Sequence, residues 1–174
     1  AFRFTAHKFG CPRTKVGEDV AKDPANRILT AKELDQVRRG FENCREAIGM
    51  EHDIMVHCHW EYDVRTAIQI AQAVAHIKPL WLGDALLVPP PEGFKDFIIN
   101  SAIDIAHPDL RNTGGFLETK RIADLAHIWG IPMATHNTGS LICTMATVQL
   151  AGSIRGFVAC ETITGNGDWM EEVI

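Results

Sequence analysis

Residues 53–82, DIMVHCHWEYDVRTAIQIAQAVAHIKPLWL, decide the fold. Residues 53–58 are a short β-branched run, residues 64–75 set Val64, Ala67, Ile68, Ala71 and Val74 on one helical face, and residues 79–82 form a second strand. The rhythm continues outward in both directions. Upstream, residues 2–9 alternate as a strand does, and residues 11–29, broken by Pro12, Gly17 and Pro24, read as a long loop. Thr30 with Glu33 then makes a capping box for a helix that carries Leu34, Val37, Phe41, Cys44 and Ile48 until Gly49 stops it. Downstream the spacing predicts helix 94–101, strand 102–106, helix 115–129 closed by Gly130 and Pro132, strand 133–135, helix 140–151 and strand 157–160.

Polar or breaker residues stand at the strand ends about 26 residues apart: His57, Gly83, Asp109, His136 and Glu161. That interval is one strand-plus-helix unit. Alternation of this kind implies a parallel α/β sheet with helices outside it, either doubly wound or a (β/α)8 TIM-type barrel. No G-x-G-x-x-G follows a strand and no G-x-x-x-x-G-K-[ST] occurs, so nucleotide binding has no support. Polar residues collected at the ends of several strands suit a barrel active site.

Composition sets outer bounds. The 174 residues are 46% hydrophobic and 22% charged with a net charge of -5, which excludes disorder and leaves no basic field for nucleic acid. Cys11, Cys44, Cys58, Cys143 and Cys160 form no C-x-x-C pair, so reduced thiols are expected rather than a disulfide framework. No apolar run approaches the roughly 18 residues of a membrane span, and residues 1–10 lack the pattern of a secretion signal. The expectation is a cytoplasmic chain with no membrane partner.

The strand ends carry the chemistry. His57 and His59 alternate along a strand and project to one side, so this H-x-H is either a metal grip or a polar loop before a helix capped near Asp63. Asp109 precedes LRNTGG, residues 110–115, whose paired glycines let backbone approach a neighbour or ligand; alternatively it is a turn aspartate bonded to its own backbone. His136 is either a base or a rim histidine beside a helix capped by Ser140. On adjacent strand ends, Asp109 and His136 would lie within reach, and a carboxylate beside an imidazole orients it and raises its basicity. Lys8 reads as an anion clamp, a second base or a solvated lysine, and Glu161 as a carboxylate that is costly there unless paired. Ile98, Ile122, Leu125, Met145 and Val148 are expected to pack helices on the sheet.

Longer stretches carry a family resemblance: REAIG (45–49), DIMVHCHW (53–60), PLWLGDALLVP (79–89), AIDIAHPDLRNTGG (102–115), ETKRIADLA (118–126), GIPMATHNTGS (130–140) and VACE (158–161). They resemble the barrel domain of the enolase superfamily, in the mandelate racemase and acid-sugar dehydratase branch. The resemblance implies removal of the proton alpha to a carboxylate, an enediolate held on Mg²⁺, and expulsion of a β-hydroxyl. By position, Lys8 matches the lysine ending the second barrel strand, Asp109 and His136 the base dyad, Glu161 the final-strand carboxylate and His59 a proton donor to the leaving hydroxyl. The implied substrate is a small sugar acid and the implied assembly a homo-oligomer.

The match departs from the family at the metal. His57 stands where the family has an aspartate ligand, Gly83 stands where it has a glutamate, and Pro90–Pro91 follow where it has a further helix and strand bearing the third ligand. The expectation is one partial barrel domain over residues 1–174, without about two strands and without the N-terminal capping domain. Two rival readings follow. The histidines at 57 and 59, with His107 or His136 and Asp109, could hold Zn²⁺ in an amidohydrolase-like barrel; or the chain is a catalytically degenerate member of the superfamily.

Overall fold

A computed structural model describes residues 4–11, 28–58, 62–83 and 91–162. The chain divides into two compact units, Ala1–Leu87 with Ile99–Asp104, and Val88–Ile98 with Ile105–Ile174.

The first unit contains strand β1 (Ala6–Gly10), helix α1 (Ala31–Ile48), strand β2 (Asp53–His57), helix α2 (Val64–Val74) running into a 3₁₀ turn at Ala75–Ile77, and strand β3 (Trp81–Gly83). The strands pair in parallel in the order β1-β2-β3, as consecutive strands joined by helices must. Thr30 caps α1 by the expected box: its hydroxyl accepts from the Glu33 N–H while the Glu33 carboxylate accepts from the Thr30 N–H at 2.8 Å. Gly49 ends the helix at φ 69°, a left-handed conformation that costs glycine little. Asp63 caps α2 through the Thr66 N–H at 2.7 Å. Ile54 and Val56 of β2 are fully buried with Val37 and Phe41 of α1 and Ala67, Ile70 and Val74 of α2. Each large aliphatic side chain so removed from water contributes roughly 1.5–3 kcal/mol before chain entropy is counted. Arg45 joins the helix end to the loops before β2 and β3, donating to the carbonyls of Gly49, His52, Ile77 and Lys78.

Helix α3 (Pro91–Ile99) lies mostly in the second unit, which continues with α4 (Phe116–Ile128), β4 (Met133–Thr135), α5 (Leu141–Ala151) and β5 (Phe157–Cys160). Strands β4 and β5 pair in parallel with a register shift at Met133/Ala134. The strand expected at 102–106 is reduced to two isolated parallel bridges, Ala106 with Met133 and Asp109 with His136. The chain passes from one unit to the other between Asp104 and Ile105, and Pro108 has no N–H to continue a ladder. What remains still aligns the segment with β4: the Ala134 N–H donates to Ala106 O at 2.9 Å and the His136 N–H to Pro108 O at 3.0 Å.

The packing stripe needs one correction. Ile98 and Ile122 are buried, but Met145 and Val148 are 46% and 47% exposed, and α5 buries Thr147 and Leu150 instead. The helix is apolar nearly all round, so its periodicity did not single out the inward face.

Candidate active site

The loop after Ala106 and the end of β4 bring a carboxylate and an imidazole together. His136 Nδ1 lies 2.7 Å from Asp109 Oδ2, with the two side chains 3% and 2% exposed. An ionised carboxylate only accepts, so Nδ1 donates and neutral His136 keeps its lone pair on Nε2. Burial alone would push the Asp109 carboxyl up. Hydrogen bonds from His136 and Arg111 override it and hold the group well below the usual carboxylate range.

Asp109 uses both carboxylate oxygens. Oδ1 accepts from the Arg111 N–H at 2.8 Å, the turn bond to its own backbone, while Oδ2 faces His136. The turn continues through the Thr113 hydroxyl, which donates to Asp109 O at 2.9 Å. Gly114 and Gly115 take φ 96° and 89°, the left-handed backbone that leads into α4, and at Gly114 the Glu118 side chain also comes close, 3.2 Å from where a Cβ would stand.

The Nε2 side of His136 meets Glu161. Glu161 follows β5, its N–H donates to Thr135 O at 2.9 Å, and its Oε2 lies 3.5 Å from His136 Nε2. The Asn137 N–H approaches the same oxygen at 3.4 Å and His107 Nε2 at 3.8 Å. His107 is buried edge-on against His136, ring centroids 5.6 Å apart, and its Nδ1 donates to Ala134 O at 2.9 Å. Both imidazoles therefore turn Nε2 toward one carboxylate oxygen. A single proton on either ring or on Glu161 makes that contact attractive, an arrangement built to accept and hand on a proton.

Sequence reasoning named Asp109, His136 and Glu161, named His107 only as a candidate zinc ligand, and missed Arg111 and Asn137. The sequence signal for Arg111 is its place two residues after an aspartate in a turn. Asn137 stands next to a named residue but carries no pattern of its own.

Residues 88–174 match the family described as "Enolase C-terminal domain-like". D-xylonate dehydratase of Haloferax volcanii is 32% identical over 179 residues, covering 88% of this chain and 43% of that protein. The chain belongs to the enolase superfamily. D-gluconate/D-galactonate dehydratase of Picrophilus torridus is 25% identical, covering 86% of this chain and 48% of the relative. The chain thus spans about half the length of these curated relatives. Among solved structures, a mandelate racemase/muconate lactonizing enzyme-like protein from Rubrobacter xylanophilus superimposes with TM-score 0.63 at 24% identity, over 97% of this chain and 48% of that one. A member of the enolase superfamily from Salmonella Typhimurium does so with TM-score 0.63 at 21% identity, over 91% and 46%. These two establish likeness of fold.

Within this enolase-superfamily chain the first unit holds the other named residues. Lys8 is half-buried on β1 opposite Met55, and His57 ends β2 between Gly10 and Gly83 in the parallel register. His59 lies outside the described residues. The superfamily's Mg²⁺ requires hard oxygen donors. Here the described strand ends of this unit offer one imidazole flanked by two glycines, and among the described residues no three His, Cys, Asp or Glu side chains are placed to hold a metal. These residues do not fit Mg²⁺. Among the described residues, which leave out His59, no histidine set for Zn²⁺ is assembled either, and superfamily membership takes the place of the amidohydrolase reading. Among the described residues no helix is long and apolar enough to cross a membrane.

Proposed function

We propose that this chain is the barrel part of a sugar-acid dehydratase, a partial (β/α)8 domain over residues 1–174 in which His136 is the base. The observation that carries the reading is the buried Asp109–His136 hydrogen bond at 2.7 Å, with Nε2 directed at the Glu161 carboxylate. Asp109 holds His136 in the tautomer that accepts at Nε2. A substrate C–H alpha to a carboxylate gives its proton to that atom, and the β-hydroxyl departs as water after taking up a proton. The resulting enol becomes a 2-keto-3-deoxy acid. Glu161 addresses the substrate carboxylate, and a proton it takes up there is donated as charge builds on that group. Lys8 and His59 keep the roles the resemblance gives them, substrate contact and proton donor.

The relatives' names supply the substrate class: D-xylonate, D-gluconate, D-galactonate and D-mannonate, all small polyhydroxy acids. A homo-oligomeric assembly and a cytoplasmic location belong to the same proposal. The test is deuterium uptake at the alpha carbon of these acids in D₂O, followed by NMR with and without Mg²⁺. The chain incorporates deuterium, and His136→Asn slows uptake by about 100-fold or more, the scale of lost general-base catalysis. Equal uptake by the variant would overturn the assignment of the base.

A second reading, a degenerate member of the superfamily, is favoured by His57 and Gly83 in place of carboxylates. Under it neither protein incorporates deuterium at any Mg²⁺ concentration.

A further inference from the structure

One guanidinium spans the two loops that carry the dyad. Arg111 Nη2 donates to Asp109 Oδ2 at 2.8 Å, its Nε to Oδ1 at 3.2 Å, and Nη2 also to the Thr138 hydroxyl at 3.1 Å. Thr138 stands two residues beyond His136, so the same side chain ties the Asp109 turn to the segment leaving β4. Oδ2 is consequently shared, 2.7 Å from His136 Nδ1 and 2.8 Å from Arg111 Nη2.

Sharing has an electrostatic consequence. A carboxylate alone beside an imidazole stabilises the imidazolium, and a base already protonated at neutral pH accepts nothing. A guanidinium on the same oxygen draws part of that field away and, through its planar fork, fixes the carboxylate's orientation. Among the described residues, the charged and titratable groups placed about His136 include Asp109, Arg111 and His107 from the loop after Ala106, and Glu161 from the end of β5. Among these Arg111 is the one permanent cation.

We propose that Arg111 is a positioning residue for the proton-abstracting dyad: it holds Asp109 so that Oδ2 meets His136, and its charge keeps His136 a ready proton acceptor. The inference rests on reading Asp109 and His136 as the base pair, yet its test needs no turnover. The Arg111 side chain is 43% exposed, so Arg111→Met retains the aliphatic stem with little loss of buried packing.

The experiment follows the His136 ring nitrogens by NMR against pH in the natural chain and in Arg111→Met, Arg111→Gln and Arg111→Lys. In the two neutral variants the His136 titration midpoint rises by roughly one pH unit, the effect of removing one nearby opposing charge. Arg111→Lys returns it toward the natural value, because the ammonium keeps the charge without the fork. A midpoint unmoved or lowered in both neutral variants would overturn the proposal; two neutral variants are used so that one unfolded protein does not decide it. Failure of the dehydratase reading shows separately, as a natural chain that takes up no deuterium. If uptake does occur, the acid limb of its pH profile moves up in the same two variants.

Discussion

Strand ends in the two units of this chain are built alike and furnished differently. In the second unit, Asp109, His136, Glu161, His107 and Arg111 stand within hydrogen-bonding or ionic reach of one another at the ends of β4, β5 and the bridged segment before α4. In the first, the register sets Gly10, His57 and Gly83 side by side, one imidazole between two residues without side chains. A parallel ladder uses only backbone N–H and C=O groups, so β1, β2 and β3 pair regardless of what ends them. The scaffold and the chemistry are therefore separable, and a strand pattern in a sequence is no guarantee of a furnished site.

The most demanding way to break this comparison is to refurnish the first unit. If only donors are absent there, His57→Asp with Gly83→Glu gains Mg²⁺ affinity by about tenfold or more, the scale on which changes around a metal act, read by isothermal titration calorimetry. No gain would mean that the strand ends differ in geometry as well as in side chains. The second unit is sharpened by Asp109→Asn, expected to lower stability in urea at pH 7 by about 1–3 kcal/mol, since it puts a neutral amide in place of the carboxylate that accepts four hydrogen bonds, three from Arg111 and one from His136. Because the folded-state Asp109 carboxyl is held below its ordinary value, its contribution is present above about pH 4 and is lost as pH falls further toward that lowered value. The natural chain's urea midpoint therefore drops on acidification below about pH 4, and the variant's drops less; parallel curves would contradict the hydrogen-bonded, ionised Asp109. The smallest effect belongs to the first unit's scaffold. Thr30→Ala removes the α1 cap and lowers stability by about 1 kcal/mol, with hydrogen exchange accelerated in the first turn of α1 and Asp109–His136 undisturbed.

Local chemistry made much of the fold legible. Thr30 and Glu33 mark the start of α1, Gly49 its end, Asp63 and Ser140 the starts of α2 and α5, because each bond lies within a few residues of chain. The short strands were harder. Residues 102–106 have strand composition, yet whether a ladder forms depends on where a neighbouring strand lies, and only Ala106 finds a partner in Met133. Met145 and Val148 failed as core residues for a related reason: α5 is apolar on most sides, and only packing chooses which side is covered.

The site divides along the same line. The regular interval of strand-end residues put Asp109, His136 and Glu161 on one list, and the resemblance of the surrounding motifs named the superfamily; both are properties of order along the chain. That Asp109 answers to His136 and to Arg111 with the same oxygen, and that His107 turns toward Glu161, could not be read there. Sequence order determines which residues end which strands. Distances of a few ångströms between residues some 25 positions apart, and with them which proton goes where, exist only once the parallel segments are laid side by side.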